Sequence, residues 1–105
     1  MNPEIDNFGN KSWYQDGELH RDGAPAMELA DGGYLWYQHG KLHREDGPAI
    51  ENANGRRVWF FQGEFHRLDG PAIEPAHGIE EFWVYGKQVN ENEFKFFFEQ
   101  RKPGN

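Results

Sequence analysis

The sequence predicts a mostly β fold, an antiparallel meander of about three to four β-hairpin repeats in a single curved sheet, capped by one C-terminal α-helix. Three observations carry this expectation. The chain repeats itself every 23 residues, glycine-bearing turn dipeptides punctuate each unit, and apolar residues recur at helical spacing only after residue 90.

The repeat is visible in whole columns. Trp13, Trp36 and Trp59 share one, which Phe82 continues; Tyr14, Tyr37, Phe60 and Trp83 form the next, and Gly17, Gly40, Gly63 and Gly86 another. His20, His43 and His66 head His-Arg pairs that end at Arg21, Arg44 and Arg67, and Pro25, Pro48 and Pro71 are each followed by Ala. Columns that align without a gap through three units point to duplication of one supersecondary unit. The units run over about 9–31, 32–54 and 55–77, with a partial fourth at 78–89. Within a unit, His39-Gly40 and Asn54-Gly55 supply the positive φ of tight turns, which predicts two short strands per unit. Asp46-Gly47 makes a further bend, Pro48 starts a strand, and the strand after Gly40 is brief, near Leu42 to Arg44.

From Asn90 the pattern changes. Asn90 reads as an N-cap with Glu93 as its capping-box partner, and Phe94, Phe97 and Phe98 share one helical face before Arg101, Lys102 and Pro103. A helix over about 91–102 follows, placed to cover the edge strand near Phe82 to Tyr85.

Composition narrows the function. The 105 residues suit one domain spanning 1–105, and four Trp, four Tyr and nine Phe outnumber the twelve Val, Ile and Leu. A net charge of −7 repels phosphate and anionic lipid, which disfavours direct nucleic-acid and membrane binding. No Cys is present, Ser12 is the only serine and threonine is absent, so covalent nucleophiles are nearly missing and a reducing cytoplasm fits best. The start has neither a basic n-region nor an apolar run, and no apolar stretch reaches membrane length.

The stretch DGGYLWYQHGKLHREDG resembles the MORN repeat, a hairpin unit with an Asp-Gly turn, an aromatic pair and two further glycines in that order. The likeness covers about residues 9 to 89. HREDGPA at 43–49 and HRLDGPA at 66–72 are similar to the MORN-like variants of bacteriophage and large DNA virus proteins, whereas HRDGAPA at 20–26 places Asp22-Gly23 one position early. The resemblance implies a curved hairpin sheet, a non-catalytic binding role and a viral origin, hence a host cytoplasm. Roles in the family extend from scaffolding to antitoxin-like proteins.

Candidate sites follow from the columns. Equivalent histidines lie about 9.5 Å apart, two strands at ~4.8 Å each, so they cannot share a zinc ion, and no metal or other cofactor is expected. Glu28, Glu51 and Glu74 form an acidic column whose repeated environment offers no pair of unlike carboxylates for acid–base catalysis. It reads as a charge ladder against the Arg column, with recognition of a basic partner as the other role. Neighbours along a strand face opposite ways, so the Trp and Tyr columns lie on different faces. The row beside Tyr, made of Ser12, Leu35, Val58 and Glu81, varies as a surface does, which assigns Trp13, Trp36 and Trp59 to the packed face. Tyr14, Tyr37 and Phe60, with Arg21, Arg44 and Arg67, become the expected partner-binding face, with no catalytic residues. The expected function is a non-catalytic protein-binding module, a phage-type inhibitor that blocks a host complex such as a basic defence nuclease. The alternatives are an antitoxin-like or scaffolding protein, a carboxylate/His hydrolase, and a lipid-binding module, the last disfavoured because no basic cluster exceeds Arg56-Arg57.

Overall fold

The computed structural model describes residues 2–101, and of the helix side chains those through 96 and that of 99. One strand, β1 (Glu4–Ile5), precedes the first unit. That unit supplies β2 (Lys11–Ser12), β3 (Tyr14–Gln15), β4 (Glu18–Leu19) and β5 (Met27–Glu28). The second gives β6 (Tyr34–Leu35), β7 (Tyr37–Gln38), β8 (Lys41–Leu42) and β9 (Ile50–Glu51), and the third β10 (Arg57–Val58), β11 (Phe60–Phe61), β12 (Glu64–Phe65) and β13 (Ile73–Glu74). The partial unit adds β14 (Phe82–Val84) and β15 (Lys87–Val89), and α1 (Glu91–Arg101) follows.

The fold is the expected mostly β meander with one C-terminal helix, but each full unit carries four strand segments rather than two. β1, β2, β5, β6, β9, β10 and β13 form an open seven-strand antiparallel sheet, while β3–β4, β7–β8, β11–β12 and β14–β15 are four separate two-strand ladders. The division falls at tryptophan. The backbone N–H of Trp13, Trp36 and Trp59 donates to the carbonyl of Ala26, Ala49 and Ala72 at 2.8, 2.7 and 2.7 Å, on the side of the large sheet. Their own carbonyls accept the N–H of His20, His43 and His66 at 3.0, 3.0 and 3.2 Å, in the hairpin. Each Trp is therefore the single residue at which the chain leaves one ladder for the other, with both backbone groups satisfied.

The hairpin turns follow the sequence reading. Asp16-Gly17, His39-Gly40, Gln62-Gly63 and Tyr85-Gly86 all have positive φ at both residues, for example 49° and 79° at His39 and Gly40, the geometry of a type I′ turn. The strand after Gly40 is as short as expected and lies one residue earlier, at Lys41–Leu42. Pro48 precedes β9 rather than starting it. On the far side of the large sheet a second turn recurs: Asp6, Leu29 and Asn52 donate to the carbonyls of Asn10, Gly33 and Arg56, around Gly9, Gly32 and Gly55 at φ 89°, 98° and 96°. This register carries the repeat back to Glu4, five residues before the expected first boundary. In the first of these turns the Asn10 side chain, then the N–H groups of Phe8 and Asn10, hold the Asp6 carboxyl below its ordinary range.

The two faces of the large sheet are unlike. Cross-strand pairs Ser12↔Met27, Met27↔Leu35, Leu35↔Ile50, Ile50↔Val58 and Val58↔Ile73 align one apolar row, in which Val58 is 0% exposed and Ile73 is buried. This corrects the reading of Ser12, Leu35 and Val58 as a surface row. Val58 is buried and Ser12 and Leu35 are half-buried, each opposite an apolar partner, Ile73, Met27 and Ile50 respectively. On the opposite face Lys11, Glu28, Tyr34, Glu51, Arg57 and Glu74 follow one another across the strands.

At the C-terminal end Ile73 and Glu81 exchange both backbone hydrogen bonds, at 3.1 and 3.0 Å, so β13 is not left bare. The helix begins as the sequence predicts: Glu93 N–H donates to Asn90 Oδ1 at 2.8 Å and Asn90 N–H to Glu93 Oε1 at 3.0 Å. Buried Phe94 meets Phe82 at 4.7 Å between ring centroids, which seats the helix on β14. The expected stop at Lys102 and Pro103 and the faces of Phe97 and Phe98 lie outside the described residues. Val58→Ala is expected to lower stability by about 2 kcal/mol, whereas Tyr34→Ala, on the polar face, changes it by less than about 0.5 kcal/mol. Urea denaturation of both variants checks the face assignment; equal losses would reverse it.

Candidate functional site

The HRxDGPA segment carries the chain from each hairpin back to the large sheet, and each residue in it has a structural task. Arg21, Arg44 and Arg67 stack their guanidinium groups on Trp13, Trp36 and Trp59, with Cζ 3.8, 3.9 and 3.8 Å from the ring centroids. The same groups donate to the carbonyls of Pro25, Pro48 and Pro71 at 3.2, 3.1 and 3.1 Å. In the second and third units Nε also reaches Asp46 at 3.0 Å and Asp69 at 2.8 Å. Glycine follows, and the arginine lies over it: a Cβ on Gly47 would lie 2.9 Å from Arg44 Cζ, and one on Gly70 2.8 Å from Arg67 Cζ, so a larger residue there must displace the guanidinium. Ala26, Ala49 and Ala72 are fully buried.

The first unit differs as its shifted Asp-Gly requires. Asp22 pairs with His20 Nε2 at 3.2 Å instead of the arginine, and Gly23 takes φ 75°, where among the described residues a Cβ would meet nothing within 4 Å.

The arginines therefore do not share a face with tyrosine. Arg21, Arg44 and Arg67 cover the Trp row, with 31%, 21% and 18% of their side-chain surface exposed, which corrects their expected place on the partner-binding face. The Trp row is packed as expected, although only Trp13 is buried; Trp36 and Trp59 are half-buried. Trp36 Nε1 is buried with no hydrogen-bond partner among the described residues, a cost that Trp83 avoids by donating to Glu81.

The acidic column is partly a charge ladder. Glu28 pairs with Arg21 at 3.3 Å, and Glu74 is held between Arg57 at 2.7 Å and Arg67 at 2.9 Å. Arg44 reaches Asp46 rather than Glu51, and Glu51 takes no ion pair among the described residues. Of the nine expected site residues, four (Arg21, Arg67, Glu28 and Glu74) are thus tied to one another or to tryptophan and a fifth, Arg44, to Trp36.

Tyr14, Tyr37 and Phe60 remain together. They pair across their hairpins with Leu19, Leu42 and Phe65, and Phe65 meets the next hairpin's Trp83 at 4.9 Å. The repeat puts Leu19 and Leu42 at the same station before Tyr37 and Phe60. The result is one strip of seven apolar side chains crossing the hairpins from Tyr14 to Trp83, in which Tyr14 is exposed and the others are half-buried. The sequence reading found its Tyr column and missed Leu19, Leu42 and Phe65, which the I′ turn places directly opposite.

Elsewhere, two clefts of about 800 and 560 Å³ open beside successive HRxDG segments, the larger against Trp36 and His43 and the smaller against Trp59 and His66. Among the described residues no three His, Asp or Glu side chains converge as metal ligands, and no helix is long and apolar enough to cross a membrane. No family model matches the chain, and neither a curated protein nor a solved structure is significantly similar to it.

Gly47→Ala should push Arg44 off Trp36 and lower stability by about 1–3 kcal/mol. In an Arg44→Ala background the same change should cost much less, and a double-mutant cycle by urea denaturation measures the difference. Additive losses would show that the glycine serves the turn alone.

Proposed function

We propose that this chain is a non-catalytic protein-binding module whose docking surface is the strip from Tyr14 to Trp83. The observation that supports this reading most is the strip itself, a continuous row of aromatic and leucine side chains that the fold leaves partly open to water. Rings of this kind supply large contact area at low cost in side-chain entropy, and they dominate the energetics of protein interfaces. The arginines contribute indirectly, by fixing the bends that hold the hairpins in line.

The narrower reading is a phage-type inhibitor that binds a host complex such as a defence nuclease and blocks it sterically. It rests on the resemblance of the HRxDGPA units to phage MORN-like repeats and on the net charge of −7, which suits a basic partner. The histidines and arginines of the three His-Arg pairs hold the same partners in each unit, the next turn's N–H and the proline carbonyl, an arrangement suited to a scaffold rather than to acid–base chemistry.

The test is affinity purification of the tagged protein from its host, identification of the captured partner by mass spectrometry, and titration of that partner. The double variant Tyr14→Glu, Tyr37→Glu should bind at least tenfold more weakly, about 1.4 kcal/mol, while its circular dichroism spectrum stays that of the wild type. Unchanged affinity would move the site off the strip. Turnover of a substrate by catalytic amounts of protein would end the binding reading.

A further inference from the structure

Each unit hands the next one ring nitrogen. His20 Nδ1 accepts the backbone N–H of His39 at 3.0 Å, His43 Nδ1 that of Gln62 at 2.9 Å, and His66 Nδ1 that of Tyr85 at 2.8 Å. The three acceptors receive the first residue of the next type I′ turn, whose positive φ aims its N–H back at the preceding hairpin. Two ordinary backbone bonds lie beside each clamp: Gly40, Gly63 and Gly86 donate to the carbonyls of Leu19, Leu42 and Phe65, all at 2.8 Å, and Arg21, Arg44 and Arg67 to those of Tyr37, Phe60 and Trp83 at 3.4, 3.2 and 3.1 Å. Ring contacts complete the contact, with His20 on His39 at 4.4 Å, His43 on Phe61 at 4.8 Å and His66 stacked on Tyr85 at 3.8 Å.

A neutral imidazole that accepts at Nδ1 carries its hydrogen on Nε2. A further proton can then enter only at Nδ1, where it turns the acceptor into a donor aimed at a donor. We propose that these histidines form a proton-sensitive set of clamps, so that acidification loosens the stack of hairpins while the seven-strand sheet, joined through backbone bonds, stays paired. The closed clamp admits only the neutral ring, so its contribution is complete at high pH and is lost as the rings take up protons.

The charges around the rings modify this without replacing the acceptor. Asp22 and, at 3.7 Å, Glu45 face the Nε2 edges of His20 and His43, and Lys41, Arg44 and Asp46 share the cleft of His43. His39, stacked on His20, adds a second titratable ring there. Around His66 the cleft carries Arg67 and Asp69, with Arg44 and Glu45 across it, and Leu68 stands where the second unit has Glu45.

Thermal melts between pH 8 and pH 5.5 test the proposal. The comparison protein carries His20→Asn, His43→Asn and His66→Asn, since the amide oxygen of Asn can take the place of Nδ1 and does not titrate in this range. Wild type should lose about 10 °C of melting temperature across the interval, and the triple variant less than half as much; His39 and His77 are common to both. A flat wild-type profile, or parallel losses in the two proteins, would overturn the proposal. Should the variant not fold, NMR titration of the wild type decides. The amide signals of 39, 62 and 85 are expected to shift together with the ring signals of 20, 43 and 66, and fixed amides beside titrating rings would overturn it.

Discussion

The stack of a guanidinium on an indole at the bend is the interaction on which the rest of the structure depends. At Trp13, Trp36 and Trp59 the chain leaves the large sheet for a hairpin, and the arginine of the same unit lies on the ring at 3.8 to 3.9 Å while bonding the proline carbonyl of the returning segment. One side chain thus fixes where the chain goes out and where it comes back. With strands mostly two residues long, backbone pairing alone could not hold that geometry, because an isolated two-strand ladder is marginal in water.

A division of labour follows. The large sheet holds fully buried Val58, and alanines just as dry stand one residue before three of its strands, while the hairpins hold the broad rings that stay half in water. Apolar burial is modest for a chain so rich in aromatics, and the difference is met by recurring polar contacts: arginine to proline carbonyl, arginine to aspartate, histidine to turn N–H. Such contacts are short-ranged and repeat with the unit, so stability accrues along the stack rather than from one central core.

Much of this was legible in the sequence. The 23-residue period, the I′ turn at His39-Gly40, the capping box of Asn90 with Glu93 and the opposition of the Trp and Tyr columns all follow from local rules. What was not legible depended on the bend at tryptophan. Strict alternation was carried through Trp36, which put Arg44 on the Tyr side, whereas the chain changes ladders there and the parity of later residues no longer applies. The same assumption turned Val58 outward. The Gly9, Gly32, Gly55 and Gly78 column, all at positive φ, was present in the sequence and would have extended the repeat toward the N-terminus. The functional strip was half-visible: its tyrosines stood in a column, but their leucine and phenylalanine partners become neighbours only once each hairpin closes.

The clamp between hairpins has one more consequence. Its acceptor and its donor lie 19 residues apart in every instance, and the atoms a unit offers forward are those it received from behind. Nothing in that contact records a unit's position in the series. Gain or loss of a whole 23-residue unit would therefore preserve every junction and change only the reach of the strip, by about 9.5 Å each time, two strand spacings. Such an arrangement lets a lineage adjust its reach by recombination between copies, independently of the residues that line the surface.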